Sequence, residues 1–159
     1  MIISIMGTMC AGKTHTREQV EKIMKKQIST FDLLEFYNKH DCFDKHHNMI
    51  WQNWHKAVDL LPNAINKFIK ENKICIIEHS FNSIINQLLA NQEDVHEIIL
   101  DIPELHKLAN RAEKRKLPYK TVYDFYLRYK NNHHGSDLKT FSEEDAITKI
   151  ISLLKQAEG

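Results

Sequence analysis

The sequence predicts an α/β domain in which helices cover both faces of a parallel sheet. Three observations predict it. A short apolar run, Ile2-Ile3-Ser4-Ile5-Met6, leads directly into Gly7-Thr8-Met9-Cys10-Ala11-Gly12-Lys13-Thr14, which fits the pattern G-x-x-x-x-G-K-[ST] and opens a stretch of helical periodicity. A second run, Lys73-Ile74-Cys75-Ile76-Ile77, is continuously apolar after its first residue, as a strand covered on both faces should be. A third, Glu97-Ile98-Ile99-Leu100-Asp101, is followed by Ile102-Pro103 and another helical pattern.

The elements follow in order. The first strand is Ile2 to Met6, and the first helix runs from Lys13 to about Lys26 with Val20, Ile23 and Met24 on its apolar side. Gln27-Ile28-Ser29-Thr30-Phe31 reads as a second strand ending at Asp32. A long helical region covers about Leu33 to Glu71, with breaks expected near His40-Asp41 and at Pro62. Its residues Met49, Ile50, Trp54, Val58, Leu61, Ile65, Phe68 and Ile69 recur at helical spacing and read as core, although Trp51 and Trp54 fall where an acceptor site would open. The third and fourth strands are the runs at 73–77 and 97–101. Helices are expected from Glu104, over about Tyr119 to Lys130, and from Ser142 to Gln156, where Ser142 and Asp145 give an N-cap signature. The sheet therefore has four strands, with a fifth only if Leu138 to Phe141 supplies it.

A chain of 159 residues suits a single domain spanning 1–159, with no repeat or linker to divide it. The net charge of +1 gives no overall pull toward nucleic acid, which leaves only a local basic patch for that purpose. No long apolar stretch and no signal peptide are visible, so a cytoplasmic protein with no membrane partner is expected. The 3 cysteines, Cys10, Cys42 and Cys75, are odd in number and lack any C-x-x-C, so reduced thiols are expected. Cys10 reads as a tolerated small residue, and its place near a helix N-terminus also suits a reactive thiol. Cys42, His46 and His47, and the pair His133-His134, lack the spacing of a four-ligand zinc site, and the histidines read as surface residues of a polar helix.

The chemistry starts at the glycine-rich loop. In a strand–loop–helix of this kind, backbone N–H groups close around a polyphosphate and the helix N-terminus adds favourable partial charge. Gly7, Thr8, Met9, Cys10, Ala11, Gly12, Lys13 and Thr14 would hold the nucleotide donor, with Lys13 on the β and γ phosphates and the Thr14 hydroxyl on Mg²⁺. Arg111 and Arg115 lie four apart, on one helix face, and can converge on one anion; a solvated basic helix end is the plainer reading. Asp32, ending the second strand, suits either a general base for an acceptor hydroxyl or the N-cap of the next helix. Glu78, before His79-Ser80, suits water-mediated Mg²⁺ binding, an alternative base, or a buried structural role. Asp101 reads as a helix cap or anchor. Asn38-Lys39-His40-Asp41 matches the guanine-selecting N-K-x-D pattern but stands too early, and no D-x-x-G accompanies it, so a GTPase is excluded.

With these residues in place, the chain resembles the small P-loop kinases over nearly its whole length, and most of all the kinase domain of phage-type polynucleotide 5′-hydroxyl kinases. The matching residues are the Walker A loop Gly7 to Thr14, Ser29-Thr30-Phe31-Asp32, Glu78-His79-Ser80, Leu100-Asp101-Ile102-Pro103 and Asn110-Arg111-Ala112-Glu113-Lys114-Arg115. The resemblance implies a P-loop NTPase of adenylate-kinase-like type, a three-layer αβα sandwich on a four- or five-stranded parallel sheet, with a lid over about 104–135. It implies Asp32 as general base and Arg115, assisted by Arg111, on the transferred phosphate. Glu35 stands where that family places an Arg, and His79 near its strand-three Asp. The chain is also similar to deoxynucleoside kinases, whose strand-three Glu-Arg-Ser is echoed by Glu78-His79-Ser80. There, Leu34 to Tyr37 and the Trp-containing helix would line a base pocket.

The expected protein is an ATP- and Mg²⁺-dependent phosphotransferase. Its acceptor would be a nucleic-acid 5′ end, a nucleoside or a nucleotide. A kinase of a non-nucleotide metabolite and a non-catalytic nucleotide-binding regulator are the alternatives. The donor's adenine is expected near Lys130 to Phe141, and oligomeric state is left open.

Overall fold

Apolar runs become strands here, and the polar loops that follow them carry the chemistry. A computed structural model describes residues 1–133 and 139–159, without the side chains of 132 and 133. In chain order the elements are β1 (Ile2–Met6), α1 (Lys13–Met24), β2 (Thr30–Asp32), α2 (Leu33–Lys39), α3 (Trp51–Glu71), β3 (Cys75–His79), α4 (Ser83–Ala90), β4 (Val95–Ile99), α5 (Leu105–Lys114), α6 (Tyr119–His133) and α7 (Glu143–Glu158). The strands form one parallel sheet in the order β2-β3-β1-β4. β1 and β3 are buried at every residue, which is why both are continuous apolar runs rather than alternating ones. The strand order changes direction at β1, so the loop after β1 leaves the sheet at its switch point, where α/β sheets bind ligands.

The described chain divides into two compact units. The first comprises Met1–Ser4 and Gln27–Glu97, the second Ile5–Lys26 and Ile98–Gly159. In the first, Leu61 and Ile65 of α3, Ile85 and Leu89 of α4, and Cys75 and Ile77 of β3 share a core, with Phe31, Phe36 and Phe68 against it. In the second, α1 packs on α7; the helices bury Thr16 and Val20, and Ala146, Ile150, Leu153 and Leu154. Cys10 of the glycine-rich loop forms a separate cluster with Leu108, Ala112 and Val122 of α5 and α6.

Several boundaries differ from expectation for identifiable reasons. α3 runs through Pro62 without a break. A mid-helix proline costs about 3 kcal/mol, and burying Leu61 and Ile65 on either side returns roughly 1.5–3 kcal/mol each. The region 40–50 is not helical. It is a small hairpin, closed by the Phe43–Met49 bridge and by Asp44, whose Oδ1 accepts from His46 N at 2.8 Å and Asn48 N at 2.9 Å. His46 and His47 are therefore exposed loop residues rather than helical ones, while Cys42 at the hairpin base is fully buried. Met49 and Ile50 precede α3 and are each 36% exposed, and Trp51 is 63% exposed, so the α3 core stripe begins only at Ala57.

On α1, Ile23 is 56% exposed, because the chain turns through left-handed Lys25 just beyond it and Thr16 takes the second buried place instead. β4 lies two residues earlier than its apolar run suggests, since Ile2 N bonds to Asp94 O and starts the pairing there. α4, which the sequence reading passed over, is capped by Asn82. A fifth strand reduces to one parallel bridge, Leu100 to Phe141; Leu138, like His134, lies outside the described residues. No described helix is long and apolar enough to cross a membrane.

Candidate functional site

The loop Gly7–Thr14 joins β1 to α1, as the strand–loop–helix pattern requires. Ala11 N donates to Thr8 O at 3.0 Å, and Cys10 and Gly12 both adopt left-handed backbone, with φ of 64° and 102°. Gly12 is constrained twice. Besides its φ, a Cβ there would lie 2.3 Å from Oε1 of Glu143. α1 starts at Lys13 behind Gly12, which has no side chain to cap it, and a helix N-terminus suits an anion. Lys13 Nζ donates to Gly7 O at 2.8 Å and Thr8 O at 3.0 Å, which folds the ammonium over the loop. Thr14 is exposed on the first turn of α1, while Thr8, Cys10 and Ala11 are buried and Met9 is half-buried. Thr8 Oγ1 is buried without a hydrogen-bond partner among the described residues, an orphaned polar atom in the loop itself.

Both candidate lid arginines reach this loop. Arg111 Nη1 donates to Cys10 O at 2.7 Å, and Arg115 Nη1 approaches Cys10 Sγ at 3.7 Å. Their neighbours Lys114 and Lys116 are exposed. The placement follows from α5: Leu108 and Ala112 pack on Cys10, and one turn of helix brings both guanidiniums to the same loop residue. Arg111 also pairs with Glu143, Nη2 to Oε1, at 3.0 Å. Sequence reasoning missed Glu143. It belongs to the acidic first turn after the Ser142 cap, 32 residues from Arg111, and no spacing rule links the two.

The remaining candidates lie in the first unit. Asp32 and Glu78 are register partners at the carboxyl ends of β2 and β3. Parallel-strand partners project to the same face, so two carboxylates stand side by side. Asp32 is the N-cap of α2: its Oδ1 accepts from Leu34 N at 2.9 Å and Glu35 N at 3.3 Å. Its Oδ2 carries no such bond among the described residues, so capping leaves one oxygen for other work. Glu78 is only 2% exposed.

His79 faces the other way. Asn82 N donates to its Nδ1 at 3.0 Å, which leaves the ring proton on Nε2, 3.0 Å from Ser4 Oγ. It anchors the end of β3. Just beyond, Phe81 has φ 57°, a rare conformation for a bulky residue, in the turn that leads to α4. Asp101 is exposed and does not cap α5, whose N-cap is Glu104; its backbone N–H bonds to Phe141 O instead.

Aromatic side chains gather after Asp32. Phe36 meets Phe31 and Tyr37 in tilted ring contacts at centroid distances of 5.5 and 6.0 Å, whereas Leu34 and Glu35 face solvent. Burial raises the Tyr37 phenol above its ordinary value, against the hydrogen bond that Asn82 Nδ2 donates to it at 3.5 Å. Trp51 meets Trp54 edge-on at 5.7 Å. Burial also pushes the Cys75 thiol up to about 11, so it stays a protonated core residue. Among the described residues, no three His, Cys, Asp or Glu side chains cluster as metal ligands.

No family model matches the chain, and no curated protein does. Solved structures do. A shikimate kinase from Aquifex aeolicus is 19% identical, covers 100% of this chain and 99% of its own, and superposes with a TM-score of 0.53. A gluconokinase from Sinorhizobium meliloti is 11% identical over 99% of this chain and 97% of its own, with a TM-score of 0.55. A deoxyadenosine kinase from M. mycoides is 15% identical over 99% and 97%, with a TM-score of 0.52. The chain has the α/β fold of small P-loop kinases.

Proposed function

We propose that this chain is an ATP- and Mg²⁺-dependent kinase that transfers a γ-phosphate to a hydroxyl of a nucleic-acid 5′ end, a nucleoside or a nucleotide. The observation that carries the reading is that Arg111 and Arg115 both reach Cys10 of the glycine-rich loop, at 2.7 and 3.7 Å. A loop that only binds a nucleotide needs no second pair of cations. A loop that stabilises a migrating phosphoryl group does.

The residues fit the donor. Gly7 and Gly12 keep the loop backbone open, Thr8 Oγ1 is an unmatched buried polar atom among the described residues, and the N-terminus of α1 follows the loop directly. Lys13 would leave the carbonyls of Gly7 and Thr8 for the β and γ phosphates. Thr14, and Glu78 through water, would hold Mg²⁺, which neutralises phosphate charge when bound. Asp32 would accept the proton of the acceptor hydroxyl through Oδ2, the oxygen left over from capping, with Glu78 the alternative base. The aromatic residues after Asp32 suit an acceptor with a planar base.

The second reading, a kinase of a non-nucleotide metabolite, has its own support, since shikimate and gluconate kinases share the fold. A screen with γ-labelled ATP against nucleosides, mononucleotides, 5′-hydroxyl oligonucleotides, shikimate and gluconate separates the two. Label only in the last two overturns the nucleotide-type acceptor. Arg115→Ala tests catalysis itself: a fall of about 10²–10³-fold in kcat with little change in ATP affinity is expected. Unchanged turnover in that variant removes Arg115 from the catalytic machinery, and ATP binding by the unaltered chain without transfer to any acceptor leaves only a nucleotide-binding regulator.

A further inference from the structure

We propose that Glu143 is a positioning residue that holds Arg111 in a charge-neutral pair against the glycine-rich loop and surrenders it to the phosphates of the arriving donor. The inference rests on the donor-loop reading above. Its basis is a single constellation within the second unit. Glu143 Oε1 accepts from Arg111 Nη2 at 3.0 Å and lies so near Gly12 that a Cβ there would sit 2.3 Å away. Glu143 Oε2 is 3.9 Å from Nε2 of His15, on the first turn of α1. A carboxylate thus lies against the backbone where the loop meets α1, the part of the motif that receives anions.

A carboxylate so placed opposes a polyanion and cancels the charge of the arginine meant to receive it. Two features make its release inexpensive. Glu143 is 32% exposed and Arg111 36% exposed, so both can move without unpacking a core. Glu143 also belongs to the first turn of α7, beside Glu144 and Asp145, where the helix N-terminus stabilises a negative charge after its arginine has gone. Arg111 keeps its second anchor, the 2.7 Å bond to Cys10 O, so it pivots at the loop rather than leaving it. In this exchange Arg111 changes partners, and its full charge is delivered only when phosphate is present.

The test is calorimetric, with the whole chain and three probes: ATP, inorganic tripolyphosphate and adenosine. Glu143→Gln preserves shape and a hydrogen-bond acceptor but removes the charge. It should tighten ATP and tripolyphosphate about tenfold, equivalent to about 1.4 kcal/mol, and leave adenosine unchanged. Glu143→Asp, which keeps the charge, should show no such gain, and melting midpoints of both variants establish that they fold. In an Arg111→Ala background the gain from Glu143→Gln should shrink below about threefold, because there is no arginine left to free.

Equal or weaker polyphosphate binding in Glu143→Gln overturns the proposal. So does an undiminished gain without Arg111, which would mean simple repulsion. If the unaltered chain binds neither ATP nor tripolyphosphate, the donor-loop reading falls, and the partner exchange falls with it.

Discussion

The glycine-rich loop with its arginines and the paired carboxylates of β2 and β3 are two kinds of site built by two kinds of constraint. The loop belongs to the second compact unit, and its Gly12, Lys13 and Thr14 act where they stand in sequence, whereas Arg111 and Arg115 reach it from α5, 101 and 105 residues away from Cys10. The carboxylate pair belongs to the first unit and exists only because β2 and β3 align Asp32 with Glu78. A one-residue slip of β2 would turn Asp32 to the opposite face and remove its cap from α2. The contiguous loop residues are therefore indifferent to the register of β2, and the carboxylate pair depends on it. The loop chemistry is general to nucleotide binding, whereas the register-dependent pair is where an acceptor would be chosen.

The largest expected effect tests the loop. Lys13→Ala should reduce turnover, and with it phosphate-dependent donor affinity, by on the order of 10³-fold, measured as labelled phosphate transferred and as ATP bound. Retained ATP binding would break the assignment of that region. The next tests the pair. Asn caps helices about as well as Asp, so Asp32→Asn should leave the melting midpoint nearly unchanged while lowering kcat about 10²-fold if Oδ2 takes the acceptor proton. An unchanged kcat together with an unchanged melting midpoint would mean that Asp32 only caps α2.

A smaller effect separates the two glycines. Gly12→Ala meets both a left-handed φ of 102° and Oε1 of Glu143 at 2.3 Å, so a loss of roughly 1–3 kcal/mol by chemical denaturation is expected. Gly7→Ala meets Ala11 Cβ at 3.1 Å with no left-handed φ to maintain, and should cost less. Reversal of that order would mean that Glu143 moves away without cost.

The smallest effect lies away from both sites. Asp94 is held below its ordinary carboxyl value, mainly by the hydrogen bond from His96 Nε2 at 2.8 Å and then by the amino terminus. A depressed native value contributes stability above the unfolded value and loses it as pH falls through the native one. The melting difference between Asp94→Asn and the unaltered chain should therefore be small at neutral pH and vanish as pH falls below the ordinary carboxyl range.

What could be read from sequence tracks this same division. The loop was legible because its residues are contiguous, and the shared face of Arg111 and Arg115 because helical spacing is fixed. The partnership of Asp32 with Glu78 was not legible: each strand end was visible, but register is a property of two strands together. Glu143 escaped for the same reason, its partners being Gly12 and Arg111 rather than its neighbours in sequence. α4 was different. Asn82 as cap and apolar pairs at 84–85 and 88–89 were present in the sequence as a short helix signal. Met49 and Ile50 show the limit of periodicity, since apolar residues just before α3 lie beyond the stripe that packs.

The one-residue bridge at Phe141 has a consequence outside catalysis. β4 ends the sheet order, and Phe141 pairs only beyond its last residue, through Ile99 O and Asp101 N. Among the described residues the earlier part of that border is uncovered, a template that a strand from another molecule could extend. It carries Val95, His96 and the solvent-facing side chain of Glu97. An incoming strand would have to strip water from that charge, a safeguard against self-association in crowded solution.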